Sequence, residues 1–116
     1  MTKVIIIEKG KEPYFKDIDL SKYDNNMNLY AEKEIDCFAV DRIYILPNYE
    51  LTIYVDDSNM NRPNEELNFF VQGNYLLPVK GKAIISRARA YLDEIEYEDV
   101  TEKDLDLFLS QINRVK

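Results

Sequence analysis

The apolar positions fall in short blocks whose period changes along the chain. Val4-Ile5-Ile6-Ile7 is an unbroken apolar run closed by Glu8 and Lys9, the pattern of a strand covered on both faces. Gly10, within Lys9-Gly10-Lys11-Glu12, marks a turn, and Tyr14 to Ile18 returns as a second strand with Pro13 at its start. Between Asp19 and Glu34, the residues Met27, Tyr30 and Ala31 stand at helical spacing, with Ser21 or Asp24 available as a cap. Ile35 to Leu46 is rich in β-branched and aromatic residues and predicts a long strand, with Phe38, Val40 and Tyr44 on one face. After Pro47-Asn48-Tyr49, Leu51, Ile53 and Val55 alternate with Thr52 and Tyr54, so these two strands predict a central hairpin.

The second half is more punctuated. Asp56 to Pro63 is a polar loop with Asp57, Asn59 and Asn61 at alternate positions, as in a calcium loop. Arg62 occupies the place of the required glycine and Asn68 that of the bidentate glutamate, so the loop reads as an ordinary turn and no metal is expected. Leu67 to Val71 and Tyr75 to Val79 flank Gly73-Asn74 as short strands. From Lys82 to Leu92 two readings compete: Ile84, Ala88, Tyr91, Leu92 and Ile95 sit at helical spacing, while Ala83-Ile84-Ile85 after Gly81 suits a buried strand. Thr101-Glu102-Lys103-Asp104 resembles a capping box, Val100 and Leu105 suit a hydrophobic staple, and Leu105, Phe108, Leu109 and Ile112 form the apolar stripe of a terminal helix.

These elements predict an α+β fold: a small, mostly antiparallel sheet with one or two helices, including a C-terminal one. The length of 116 residues suits a single domain over 1–116. No apolar run is long enough to span a bilayer or to form a signal-peptide core, so a cytoplasmic protein is expected. Cys37 is the one cysteine, lies beside Phe38 and Ala39, and reads as a small core residue. The chain has no histidine, which removes Ser-His and Cys-His nucleophile pairs and nearly all zinc sites. No catalytic residue and no cofactor is expected from any familiar motif. Paired acids at Asp56-Asp57 and Glu65-Glu66 leave room for carboxylate chemistry, but without diagnostic spacing.

The order of features resembles a family of small phage and mobile-element proteins, the domain of unknown function 3846. The matching segments are Lys3-Val4-Ile5-Ile6-Ile7-Glu8 with Lys11-Glu12-Pro13, the strand hairpin, the loop Asn59-Met60-Asn61-Arg62-Pro63-Asn64, and Lys80-Gly81-Lys82-Ala83-Ile84-Ile85. The resemblance implies a phage or plasmid origin and no assigned activity. It also implies a strand after Gly81, which favours strand over helix to about Ala88.

Charge then separates the functional readings. The net charge is −7, which disfavours direct contact with nucleic acid or an anionic membrane. The acids cluster late, as Asp93, Glu94, Glu96, Glu98, Asp99, Glu102, Asp104 and Asp106. The first reading is a non-enzymatic inhibitor or modulator that meets a basic surface of a host protein through Asp93, Glu94, Glu96, Glu98, Asp99, Glu102 and Asp106. The same acids otherwise do no more than solvate a helix and its approach loop. The second reading is a binder of a phosphate-bearing small molecule, such as a nucleotide signal. Lys80, Lys82, Arg87 and Arg89 would hold the phosphates and Tyr75 or Tyr91 would stack on the base. Strand alternation prevents all four cations from converging. Self-association through edge strands near Tyr14 or Phe70 is a further expectation.

Overall fold

The computed structural model describes residues 1–47, 50–73 and 76–114. Strands β1 (Thr2–Ile7) and β2 (Tyr14–Ile18) are followed by a 3-10 turn at Leu20–Tyr23 and helix α1 (Met27–Ile35). Strands β3 (Val40–Leu46), β4 (Leu51–Asp56), β5 (Leu67–Val71), β6 (Leu77–Lys80), β7 (Ala83–Tyr91) and β8 (Glu94–Glu98) come next. Helix α2 (Glu102–Ser110) and β9 (Ile112–Arg114) close the chain. The fold is α+β, with every strand pairing antiparallel. The larger sheet runs β2-β1-β7-β4-β3, with β8 beside the far half of β7; the smaller runs β6-β5-β9.

The unbroken apolar run of β1 is explained by a sheet covered on both sides. Val4 and Ile6 join Ile84 and Tyr54 beneath α1, which contributes Met27, Tyr30, Ala31 and Ile35. Ile5 and Ile7 face the other way, with Ile53 and Ile85, into a second core built with Phe69 and Val79 of the small sheet and Phe108 of α2. The Phe69 and Phe108 rings meet edge to face, 5.3 Å apart at 88°.

Several expectations are corrected. Ile35 does not open a strand; it ends α1. Asp36 takes a left-handed conformation (φ 62) and its N–H reaches back to the carbonyls of Glu32 and Lys33, stopping the helix without the glycine that usually signals such an end. Phe38 therefore lies in the linker, fully exposed, and β3 begins at Val40. The cap of α1 is Asn26, whose side chain accepts the Asn28 N–H; Ser21 and Asp24 belong to the preceding turn. The β3–β4 hairpin is not central, because β3 lies at the edge while β7 runs between β1 and β4. The segment after Gly81 is a strand, and it continues to Tyr91.

At the other end, the Thr101–Asp104 capping box forms as read. Leu109 of the expected stripe is exposed, however, and Ile112 is buried from β9, one element further on. Phe70 is not at an edge, since β5 has β6 on one side and β9 on the other; β2, which carries Tyr14, is an edge. Cys37 is only half-buried; burial pushes its thiol up to about 11, so it is a thiol at neutral pH, and it lies 3.3 Å from the Ala39 carbonyl. In the calcium-like loop, Asn59 spends its amide on the Pro78 carbonyl and the Lys80 N–H, while Asp56 holds Arg62.

Candidate functional site

The acidic block is neither helix nor approach loop over its first half. Arg87-Ala88-Arg89-Ala90-Tyr91 and Glu94-Ile95-Glu96-Tyr97-Glu98 alternate in step, and pair in register with Arg87 opposite Glu98, Arg89 opposite Glu96 and Tyr91 opposite Glu94. The β1 partner of β7 ends at Ile85 and the β4 partner at Arg87. The hairpin from Ala88 to Tyr97 thus leaves the body of the sheet, carrying Leu92 and Asp93 at its tip.

Alternation gives this hairpin two unlike faces. One bears Arg87, Arg89, Tyr91, Glu94, Glu96 and Glu98, on the side of the sheet occupied by α2. The other bears Ala88, Ala90, Ile95 and Tyr97, on the side of α1. At its base the Tyr54 hydroxyl is hydrogen-bonded to Ser86 and Tyr97, and burial holds that phenol well above its ordinary value. Toward the tip, Tyr91, Leu92 and Ile95 are exposed apolar groups.

The predicted acids serve different ends. Asp93, Glu94 and Glu96 are exposed at the end of the hairpin. Arg89 stands opposite Glu96 in the register, and its guanidinium is 3.3 Å from Glu98. Asp99 accepts the Lys3 N–H at 2.8 Å and anchors the strand exit to β1. Asp104 is buried within the helix cap, and Arg87 reaches it at 3.6 Å and Glu50 at 3.5 Å. Glu102 and Asp106 are exposed on α2.

The predicted cations do not form one site. Lys80 is buried and donates to the Arg62 carbonyl, and Lys82 bridges Glu8 at 3.3 Å and Glu34 at 3.5 Å, near the start of β7. Arg87 and Arg89 lie toward its other end and line a cleft of about 300 Å³ with Glu50 and Glu98, two carboxylates against two guanidiniums. Tyr91 is on the same face as these arginines, and Tyr75 lies outside the described residues. A cleft matched in charge offers a phosphate little net attraction.

Ile95 and Tyr97 were not singled out as contact residues by sequence reasoning. Their signal was the strict period of two inside the acidic tract, hidden by reading that tract as a block of charge. Among the described residues, no group of three or more Cys, Asp or Glu side chains is placed to hold a metal ion, and no helix is long and apolar enough to cross a membrane. No protein-family model, no curated protein and no solved structure matches this chain.

Proposed function

We propose that this chain is a non-enzymatic accessory protein of phage or mobile-element type, which binds a host protein and modulates or inhibits it through the acidic face of the β7–β8 hairpin. The observation that carries the reading is the placement of Asp93, Glu94 and Glu96 on a hairpin projecting beyond the sheet, with Arg89 opposite Glu96 and drawn to Glu98. Such a projection can enter a basic groove that a globular surface cannot. The exposed Leu92 and Ile95 supply apolar contact beside the charge, the mixture that gives an interface both area and register.

Replacing Asp93, Glu94 and Glu96 together by their amides tests this. The three side chains are exposed, so the variant is expected to melt near the wild type. Affinity capture from the host with both proteins, at low and high salt, gives the readout. A host protein retained by the wild type, released by salt and lost from the amide variant is the expected result, since screening cuts the reach of the charges to about 8 Å near physiological ionic strength. Capture that is equal for the two proteins overturns the assignment of the acidic face.

A further inference from the structure

β8 has one paired edge and one open one. β8 is bonded to β7 on its inner side, and among the described residues no strand pairs with its outer side. Beyond that outer edge lies a cleft of about 320 Å³, walled by Ile95, Glu96 and Tyr97 on the hairpin, by Met1 and Thr2 at the start of β1, and by Asp19, Leu20, Ser21 and Asn25 around the 3-10 turn. Among the described residues no strand fills the lane beside the outer edge of β8. An exposed strand edge presents unpaired N–H and C=O groups at alternate residues, which is a template for another extended chain.

The side chains on β8 say what that chain must carry. Glu94, Glu96 and Glu98 project to one face, Ile95 and Tyr97 to the other. The inner neighbour already answers this pattern: Arg87 and Arg89 stand opposite Glu98 and Glu96, and Ala88 and Ala90 opposite Tyr97 and Ile95. A second copy does not suit the outer edge. Antiparallel pairing of β8 with itself about Glu96 sets Glu94 against Glu98 and Glu96 against its own copy, and like charges directly opposite are destabilising. Two further edges of the large sheet, β2 and β3, bring Asp17 and Asp41 with their single cations Lys16 and Arg42.

We infer that the outer edge of β8 accepts an extended segment of a partner protein in which lysine or arginine alternates with apolar residues, adding a seventh strand to the six-stranded sheet. The cations face Glu94, Glu96 and Glu98, and the apolar residues enter the cleft beside Tyr97 and Leu20. The inference rests on the protein-binding reading above and names the form its partner takes.

The probe is a blocked peptide of roughly seven residues, near the usual length of a strand, alternating lysine and valine. Its control has the same composition with the lysines gathered at one end. Each is titrated into the full chain, and amide hydrogen exchange is followed along Glu94–Glu98. Expected are at least about tenfold tighter binding of the alternating peptide and slowed exchange at alternate amides of β8. Equal affinity for the two peptides, or binding without protection of β8, overturns strand pairing. If that binding is lost in the triple amide variant, the acidic contact survives and only the pairing falls. If neither peptide binds, or the amide variant binds as well as the wild type, both fall. A protein that doubles its mass with concentration, and stops doing so when Ile95→Pro is introduced, has a second copy on this edge and overturns the inference.

Discussion

Arg62 is held from three sides. Its Nε is 2.6 Å from Asp56, its Nη1 is 3.4 Å from Glu66, and the guanidinium lies over Gly81, where a Cβ would stand 2.9 Å from Nη1. Gly81 also has φ +81, a conformation that costs a residue with a side chain about 1–2 kcal/mol. Gly10 has a similar φ of +77 with nothing near its missing Cβ. Gly10→Ala is thus expected to lose the conformational cost alone, and Gly81→Ala that cost plus the displacement of Arg62. Urea unfolding should place Gly81→Ala as the less stable; equal losses would show that Arg62 moves freely. Glu34 makes a second residue-scale case. Burial works against its charged form, but the Lys16 ammonium at 2.6 Å, Lys82 and the Tyr30 hydroxyl outweigh it and hold the carboxyl below 4.5. A lowered carboxyl contributes stability that is present above 4.5 and lost as pH falls through the folded value. The stability gap between wild type and Glu34→Gln is therefore expected to narrow under acid below pH 4.5. A gap constant with pH would mean the ion network contributes nothing.

Elements were legible in the sequence where one local pattern decided them. The β1 run, the alternation of β4 and the capping box of α2 each follow from neighbouring residues alone, and the fold class follows from their sum. The Thr101 hydroxyl takes the Asp104 N–H while the Asp104 carboxylate takes the Thr101 N–H at 2.9 Å. Thr101→Ala is expected to cost about 0.5–2 kcal/mol, and more than the exposed change Lys103→Ala, measured as a shift in melting temperature; parity between them would show that the cap is idle. Elements were illegible where the deciding contact is distant or two patterns overlap. The end of α1 turns on Asp36 in a conformation that aspartate rarely signals. Ile112 sits at helical spacing from Phe108 and is nonetheless drawn into β9 by pairing with Val71, 41 residues away in sequence. In the candidate site, the acids were visible as charge, but the hairpin carrying them was not. Tyr91, Leu92 and Ile95 stand at helical spacing, and the pairing of Tyr91 with Glu94 and of Ala90 with Ile95 decides for a hairpin, with Leu92 in its turn.

At the scale of the whole molecule, the chain order binds the two sheets together. β5 and β6 lie in sequence between β4 and β7, which are neighbours in the large sheet, and β9 follows α2 at the end. Arg114 closes the circuit by donating from Nη2 to the carbonyls of Glu8 at 3.1 Å and Lys11 at 2.8 Å, at the turn between β1 and β2. The core between the sheets is shared: Phe69 and Val79 come from one, Ile5, Ile53 and Ile85 from the other, and Phe108 from the helix. The large sheet keeps its core beneath α1 when the small sheet opens, but Ile5, Ile53 and Ile85 lose their cover, so both sheets are expected to unfold in one transition. Phe69→Ala provides the test, because Phe69 belongs to the small sheet yet is fully buried against the large one. Loss of a buried phenylalanine costs about 3–5 kcal/mol. If the sheets form one cooperative unit, the slowest-exchanging amides of β1 and β4 should lose the same protection as those of β5, because all exchange only through global opening. If protection falls in β5, β6 and β9 while β1 and β4 keep theirs, the small sheet opens by itself, and the shared core is not what holds the molecule together.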